Sequence, residues 1–193
     1  MLRRLAIATA GALALTVAGP VAAHAESLTF NDERGDVWAH FREVKRAPNH
    51  ARGDIIRAVI AHNDRQVVIR TKFVTLDRRG IRFVVAARLR TNAGVDRVAR
   101  LSAGPGQATW QGTTNLYRGD NNTRVDCAPS HRIDYAADVA VIRVPRTCLG
   151  SPRWVRATMG AASVKPSGFF ADNPVNDGPT RHLPDYSTRI RRG

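Results

Sequence analysis

The chain has 193 residues, with 30 Lys plus Arg against 16 Asp plus Glu and a formal net charge of +14. That length suits one domain large enough to bury a core without special staples. Arg outnumbers Lys 27 to 3, a bias that a high-GC genome produces whatever the function. The charge alone therefore argues no specific nucleic-acid recognition, although an excess of this size attracts anionic polymers at low salt.

In chain order, residues 1–25 read as a signal peptide. Arg3 and Arg4 form a positive start, "LAIATAGALALTV" an apolar stretch, and Ala23-His24-Ala25 a small-residue cleavage site, so Glu26 is expected to begin the exported protein. The rival reading, an uncleaved anchor, falls short of the roughly 20 apolar residues a span needs. No later apolar run is long enough to cross a membrane, and "LPDYS" (183–187) lacks the Thr and hydrophobic tail of a wall-sorting signal. The expected location is secreted, with removal of Arg3 and Arg4 leaving +12.

Residues 26–164 read as an antiparallel β-sandwich domain. "DVWAHFREVKRA" (36–47) is taken as a loop or short helical turn over one end. From Asp54 the apolar period is two: "IIRAVIAH" (55–62), "QVVIRTKFVTL" (66–76) and "IRFVVAARLR" (81–90) alternate β-branched and polar residues across turn-forming Asn63-Asp64 and Asp77–Gly80. Further strands are expected at "VDRVARLS", around "ATWQG", "TNLYR" and "TRVDC", and at "DVAVIRVP" and "RWVRATMG". The Pro/Gly-rich basic segment 165–193 is read as loop-like and packed partly on the domain. Strands at spacings of about ten residues without a long amphipathic helix define an all-β, antiparallel, jelly-roll-like sandwich.

Alternation also assigns faces. Ile81, Phe83, Val85, Ala87 and Leu89 point inward, which turns Arg82, Arg88 and Arg90 outward. The same reading places Arg57, Arg70, Lys72, Arg143 and Arg156 on outer faces, a candidate anion-binding surface. Cys127 and Cys148, the only cysteines, read as one disulfide in an oxidising compartment, closing a loop worth about 3 kcal/mol; a free catalytic thiol is the alternative.

The segments "DYAAD" (134–138), "RTCLGSPRWVR" (146–156) and "DERGDVW" (32–38), with the Gly53 to His62 spacing, resemble uncharacterised secreted proteins of actinobacteria. The resemblance implies a jelly-roll shape like that of carbohydrate-binding modules and brings no established activity.

Catalytic signatures are sparse. If "RIDYAADVAVIRVP" formed a strand with its lead-in, Asp134 and Asp138 would stand about 13 Å apart, too far for a glycosidase pair; Asp134 is read instead as capping a turn, Tyr135 as packed and Asp138 as paired with a neighbouring Arg. No GxSxG, HExxH or Ser-x-x-Lys occurs, and the five histidines that follow the expected leader are scattered without zinc spacing. The expectation is a non-enzymatic protein. The tripeptide RGD occurs at 34–36, 52–54 and 118–120. Turn chemistry explains it first, since Gly tolerates positive φ and Asp bonds its own backbone; adhesion and a metal loop are the alternatives. For a metal, Asp32, Asp36, Asp54, Asp172 and Asp177 offer oxygen ligands that would suit Ca²⁺. Trp110, between glycine-rich turns, is the candidate for stacking on a sugar ring. An anionic envelope polymer is the leading partner, a carbohydrate the alternative, and a hydrolase with a site not visible in the sequence the third.

Overall fold

A computed structural model describes residues 25–105, 109–175, 178 and 185–193. The expected leader therefore lies outside the described residues, apart from Ala25. Thirteen strands form: β1 (Glu26–Asn31), β2 (Trp38–His40), β3 (Val44–Arg46), β4 (Ile55–His62), β5 (Gln66–Phe73), β6 (Arg82–Thr91) and β7 (Asp96–Ala103), followed by β8 (Thr113–Arg118), β9 (Ser130–Asp134), β10 (Val139–Pro145), β11 (Trp154–Lys165), β12 (Gly168–Asp172) and β13 (Ile190–Arg191). They make two antiparallel sheets. One has five strands in the order β1-β4-β5-β10-β9; the larger runs β3-β2-β12-β11-β6-β7-β8, with β13 also paired to β11. The chain changes sheet five times. The all-β sandwich expected from alternation is the architecture found.

Period two produces it. Ile60, Ile69, Thr71, Phe73, Ala140, Ile142 and Val144 line the inside of the five-stranded sheet. Phe83, Val85, Leu89, Leu101, Leu116, Val155, Ala157 and Met159 line the inside of the larger one. All are almost fully buried, and an aliphatic side chain moved from water into such a core contributes about 1.5–3 kcal/mol. A β-bulge between Ile55 and Arg57 reverses the alternation at the start of β4. Ile55 thus stays buried and Arg57 emerges.

Three expectations are corrected. Residues 36–47 form no helical turn; β2 and β3 pair as a short hairpin at the edge of the large sheet. The only helix among the described residues is a 3-10 turn, Arg146–Leu149, closed by Gly150 in the left-handed region at φ 74°. "TRVDC" contributes one isolated bridge, Tyr117 to Arg124, rather than a strand, and among the described residues of "ATWQG" (109–112) no strand forms. The segment from residue 165 is also less loop-like than its Pro and Gly content suggests. It supplies β12, which sits inside the large sheet between β2 and β11.

Cys127 and Cys148 are joined with Cα atoms 6.0 Å apart. Cys127 precedes β9 and Cys148 lies in the 3-10 turn after β10, so the bond fastens the chain's crossing from β8 to the five-stranded sheet. No helix among the described residues is long and apolar enough to cross a membrane.

Candidate functional site

The eight cations assigned outward by alternation fall on two opposite faces, four on each, and not on one surface. Arg57, Arg70, Lys72 and Arg143 share the outside of the five-stranded sheet. Arg57 stands opposite Lys72, Arg70 opposite Val59 and Val141, and Arg143 opposite Val68. Strand β9 adds Arg132, opposite Val141. Neighbouring strands lie about 4.8 Å apart and same-face residues about 7 Å apart along a strand, so five cations sit on a grid spanning four strands. Val59, Val139 and Val141 form its apolar floor. A depression of about 280 Å³ lies among Arg57, Val59, Arg70 and Lys72, and one of about 130 Å³ among Arg70, Arg132, Asp134 and Arg143.

Two acids touch this grid. Asp138 Oδ2 is 3.4 Å from Lys72 Nζ, and Asp134 Oδ2 is 3.2 Å from Arg132. Among the described residues Arg57, Arg70 and Arg143 form no ion pair.

Arg82, Arg88, Arg90 and Arg156 lie outside the large sheet, where most are engaged. Arg88 donates two hydrogen bonds to Asp96, of 2.9 and 2.8 Å, and Arg90 a third of 3.0 Å. Burial alone would raise the Asp96 pKa, but these bonds hold it below the ordinary carboxylate value. Arg90 also covers the Tyr186 ring at 4.4 Å, and Arg156 donates to the Ser187 carbonyl at 2.8 Å. Beyond this cluster the same face holds a groove of about 470 Å³, where Arg82, Arg100, Asn115, Tyr117 and Phe169 meet across five strands.

Asp134 caps a turn as expected, and Asp138 meets Lys72 rather than a neighbouring Arg. Residues 135–138 are a turn between β9 and β10, with Asp134 paired to Val139. Asp134 accepts from the Ala137 N–H at 3.0 Å, and Asp138 from the Leu76 N–H at 2.8 Å. His131 Nε2 is 2.9 Å from the Gln111 carbonyl. Trp110 is half-buried; its ring meets the Tyr135 edge at 6.4 Å and the Arg52 guanidinium at 6.0 Å. It is packed rather than displayed for stacking on a sugar.

The acidic residues chosen as metal ligands do converge, except Asp177, which lies outside the described residues. Asp32 follows β1, Asp36 precedes β2, Asp54 precedes β4 and Asp172 ends β12, so strand ends from both sheets deliver carboxylates to one place. One ligand atom from each of Asp32, Asp36 and Asp172 lies within 4.8 Å of the others. Asp54 is tied to the group by its Oδ2, which accepts the Gly35 N–H at 2.8 Å. Asp172 accepts the Ile55 N–H at 2.6 Å. Burial and then the charges of Asp36 and Asp54 push its pKa up to about 7, against the lowering effect of the Ile55 bond. Burial likewise raises Asp54, with Asp36 adding to the rise.

Two of the RGD tripeptides belong to this arrangement. Gly35 and Gly53 adopt φ of 79° and 86°, and each turn sends its Asp inward: Asp36 is 3% and Asp54 2% exposed. Turn chemistry accounts for these two copies, whose aspartates are buried and so not displayed together with the arginine.

Sequence reasoning missed Arg132 and the groove residues Arg100, Asn115 and Tyr117. Arg132 sits in a strand too short and polar to announce itself; "LYR" and "RVAR" carried the others, but only strand order brings them together. No protein family, curated protein or solved structure matches this chain, so function rests on the geometry just described.

Proposed function

We propose that this is a secreted, non-enzymatic binding protein that holds an anionic polymer of the cell envelope against the outer face of its five-stranded sheet. The observation that carries the reading is the grid of Arg57, Arg70, Lys72, Arg132 and Arg143, in which three arginines have no ion-pair partner among the described residues. Guanidinium groups spaced along and across strands match repeating phosphates or carboxylates, and the planar fork of Arg takes such groups in pairs. The shallow depressions suit a chain lying on the surface better than a small molecule enclosed by it. The side chains with catalytic potential, His131, Asp134 and Asp138, are taken up in turn and backbone contacts.

Retention on a polyphosphate matrix tests the proposal. The triple variant Arg57→Gln/Arg70→Gln/Arg143→Gln is expected to elute at much lower salt. The control Arg65→Gln/Arg124→Gln/Arg153→Gln, with the same loss of net charge, should shift little. In titrations against salt the logarithmic slope should fall by about 2–3 for the first variant, roughly one per lost contact. Equal shifts for both variants would reduce the effect to net charge and overturn the assignment of the face.

The groove on the large sheet favours a second reading, a glycan module centred on Tyr117 and Phe169 instead of Trp110. It predicts oligosaccharide binding that ignores salt and disappears in Tyr117→Ala.

A further inference from the structure

We infer that the carboxylates of Asp32, Asp36, Asp54 and Asp172 form a Ca²⁺ site that ties the two sheets together at one end of the sandwich. Asp36, Asp54 and Asp172 are 3%, 2% and 6% exposed, and gathering several carboxylates out of water is costly unless a cation or protons compensate. The chain has arginines to spare, yet among the described residues neither Asp54 nor Asp172 has an ion-pair partner. A protein with a net charge of +14 has placed its acids together, and the one guanidinium felt at Asp54, that of Arg34, forms no ion pair with it.

A separate observation points to a ligand. Asp54 Oδ1 is buried and accepts no hydrogen bond, although Oδ2 of the same carboxylate is satisfied by Gly35. That bond fixes the carboxylate beside Asp36, the next residue after Gly35, and its charge is felt at both Asp36 and Asp172. A buried carboxylate oxygen left over in this way is a costly arrangement for a fold to keep, and a cation bound among the four groups removes the cost.

The chemistry of the ligands selects the ion. One oxygen from each of Asp32, Asp36 and Asp172 lies within 4.8 Å of the others, near enough to share one cation, with Asp54 beside them; an irregular set of carboxylates suits Ca²⁺, which accepts variable geometry, better than Mg²⁺, which demands a strict octahedron. All-oxygen ligands without His or Cys exclude the softer metals. The backbone supports the arrangement at both glycine turns. A side chain at Gly35 would press on the Pro48 carbonyl at 3.0 Å, and one at Gly53 on Ser163 Oγ at 3.3 Å. The positive φ values that set the two aspartates are therefore reserved for glycine.

Asp32 and Asp54 flank strands of the five-stranded sheet, Asp36 and Asp172 strands of the larger one. The disulfide lies at the opposite end of the five-stranded sheet, because β10 runs from Val139, beside Lys72, to Pro145, beside Gln66. A bound ion would fasten the end that the covalent bond does not reach.

Calorimetric melts of the exported chain in EDTA and in millimolar CaCl₂ are the test, with Tb³⁺ luminescence as a direct readout of occupancy. The midpoint is expected to rise with the logarithm of Ca²⁺ concentration and to rise less with MgCl₂. In Asp54→Asn/Asp172→Asn, which removes two buried charges, the midpoint in EDTA should be at or above that of the parent. Its calcium response and Tb³⁺ signal should be lost. Equal parent midpoints in EDTA and CaCl₂ would overturn the site, as would a calcium response that survives intact in the double variant.

Discussion

On the outside of the large sheet, Asp96 accepts three hydrogen bonds from Arg88 and Arg90, Tyr186 lies beneath Arg90, and Arg156 reaches the Ser187 carbonyl. On the outside of the five-stranded sheet, Arg57, Arg70 and Arg143 project over a floor of valines, and only Lys72 and Arg132 meet an acid. Both faces follow the same alternation, and an outward arginine looks identical in either sequence context. The difference lies in what stands across the strand. Asp96 stands opposite Arg90 and diagonal to Arg88, which faces Val98, and it draws both cations into the fold. Arg57 faces Lys72, Arg70 faces Val59 and Val141, and Arg143 faces Val68, so none of the three has an acid as its cross-strand partner.

The largest expected effect separates the two uses. Asp96→Ala should cost about 1–2 kcal/mol in a urea melt: it removes charge-assisted hydrogen bonds and leaves two guanidinium groups facing each other, while partial exposure of the pair limits the loss. Arg57→Ala/Arg70→Ala on the opposite face should change stability by less than about 0.5 kcal/mol per site, with its effect seen in polymer retention instead. A comparable loss of stability from both variants would erase the distinction between a structural and a ligand-facing arginine surface.

How much of this was legible in the sequence follows from the same physics. Alternation located β4, β5, β6 and β7, because each of these strands faces the core with one side and is more exposed on the other; β10 and most of β11 were found as runs of apolar and β-branched residues, although both of their sides are largely buried. It failed at β2, β3 and β12. "WAH" and "VKR" are three residues each, too short to show a period, and the residues of "GFFAD" before Asp172 are all partly buried, with no polar side to alternate against. The arginine grid was half visible: outward direction is local, whereas membership of a sheet depends on pairings between residues far apart in sequence, such as Arg70 with Val141. The acidic cluster was better read than the arginines. Asp32, Asp36, Asp54 and Asp172 all flank predicted turns, and turns gather at the ends of a sandwich whatever its strand order. Asp134 was legible as a turn cap, whereas the partner of Asp138 was not: it is Lys72 on β5 rather than a neighbouring Arg, a contact that depends on strand order.

The smallest effect concerns pH and sharpens the comparison from inside. Arginine as a residue type does not titrate in the neutral range, so retention of an anionic polymer by an arginine face should be flat from mildly acidic to mildly alkaline pH. His62 behaves differently. It is fully buried behind the five-stranded sheet, with Nδ1 3.2 Å from the carbonyl of Ile190 in β13. Burial lowers its pKa; the Ile190 contact opposes the shift, while the charges of Arg146 and Arg192 add to it. A histidine held neutral in the fold binds its proton more readily when unfolded. Its contribution is thus constant above the ordinary value of about 6.5, and stability is lost as pH falls below that value toward the lowered one. In the metal-free protein Asp172, with its raised pKa, contributes the opposite slope in the acid-to-neutral range, so the parent profile mixes the two. The difference between the parent and His62→Gln, measured by urea melts in the same buffers, isolates the histidine: it should be level above pH 6.5 and move against the parent below it. A difference curve that stays level throughout would mean that His62 is protonated in the fold as readily as outside it, and the burial argument for this side chain would fail.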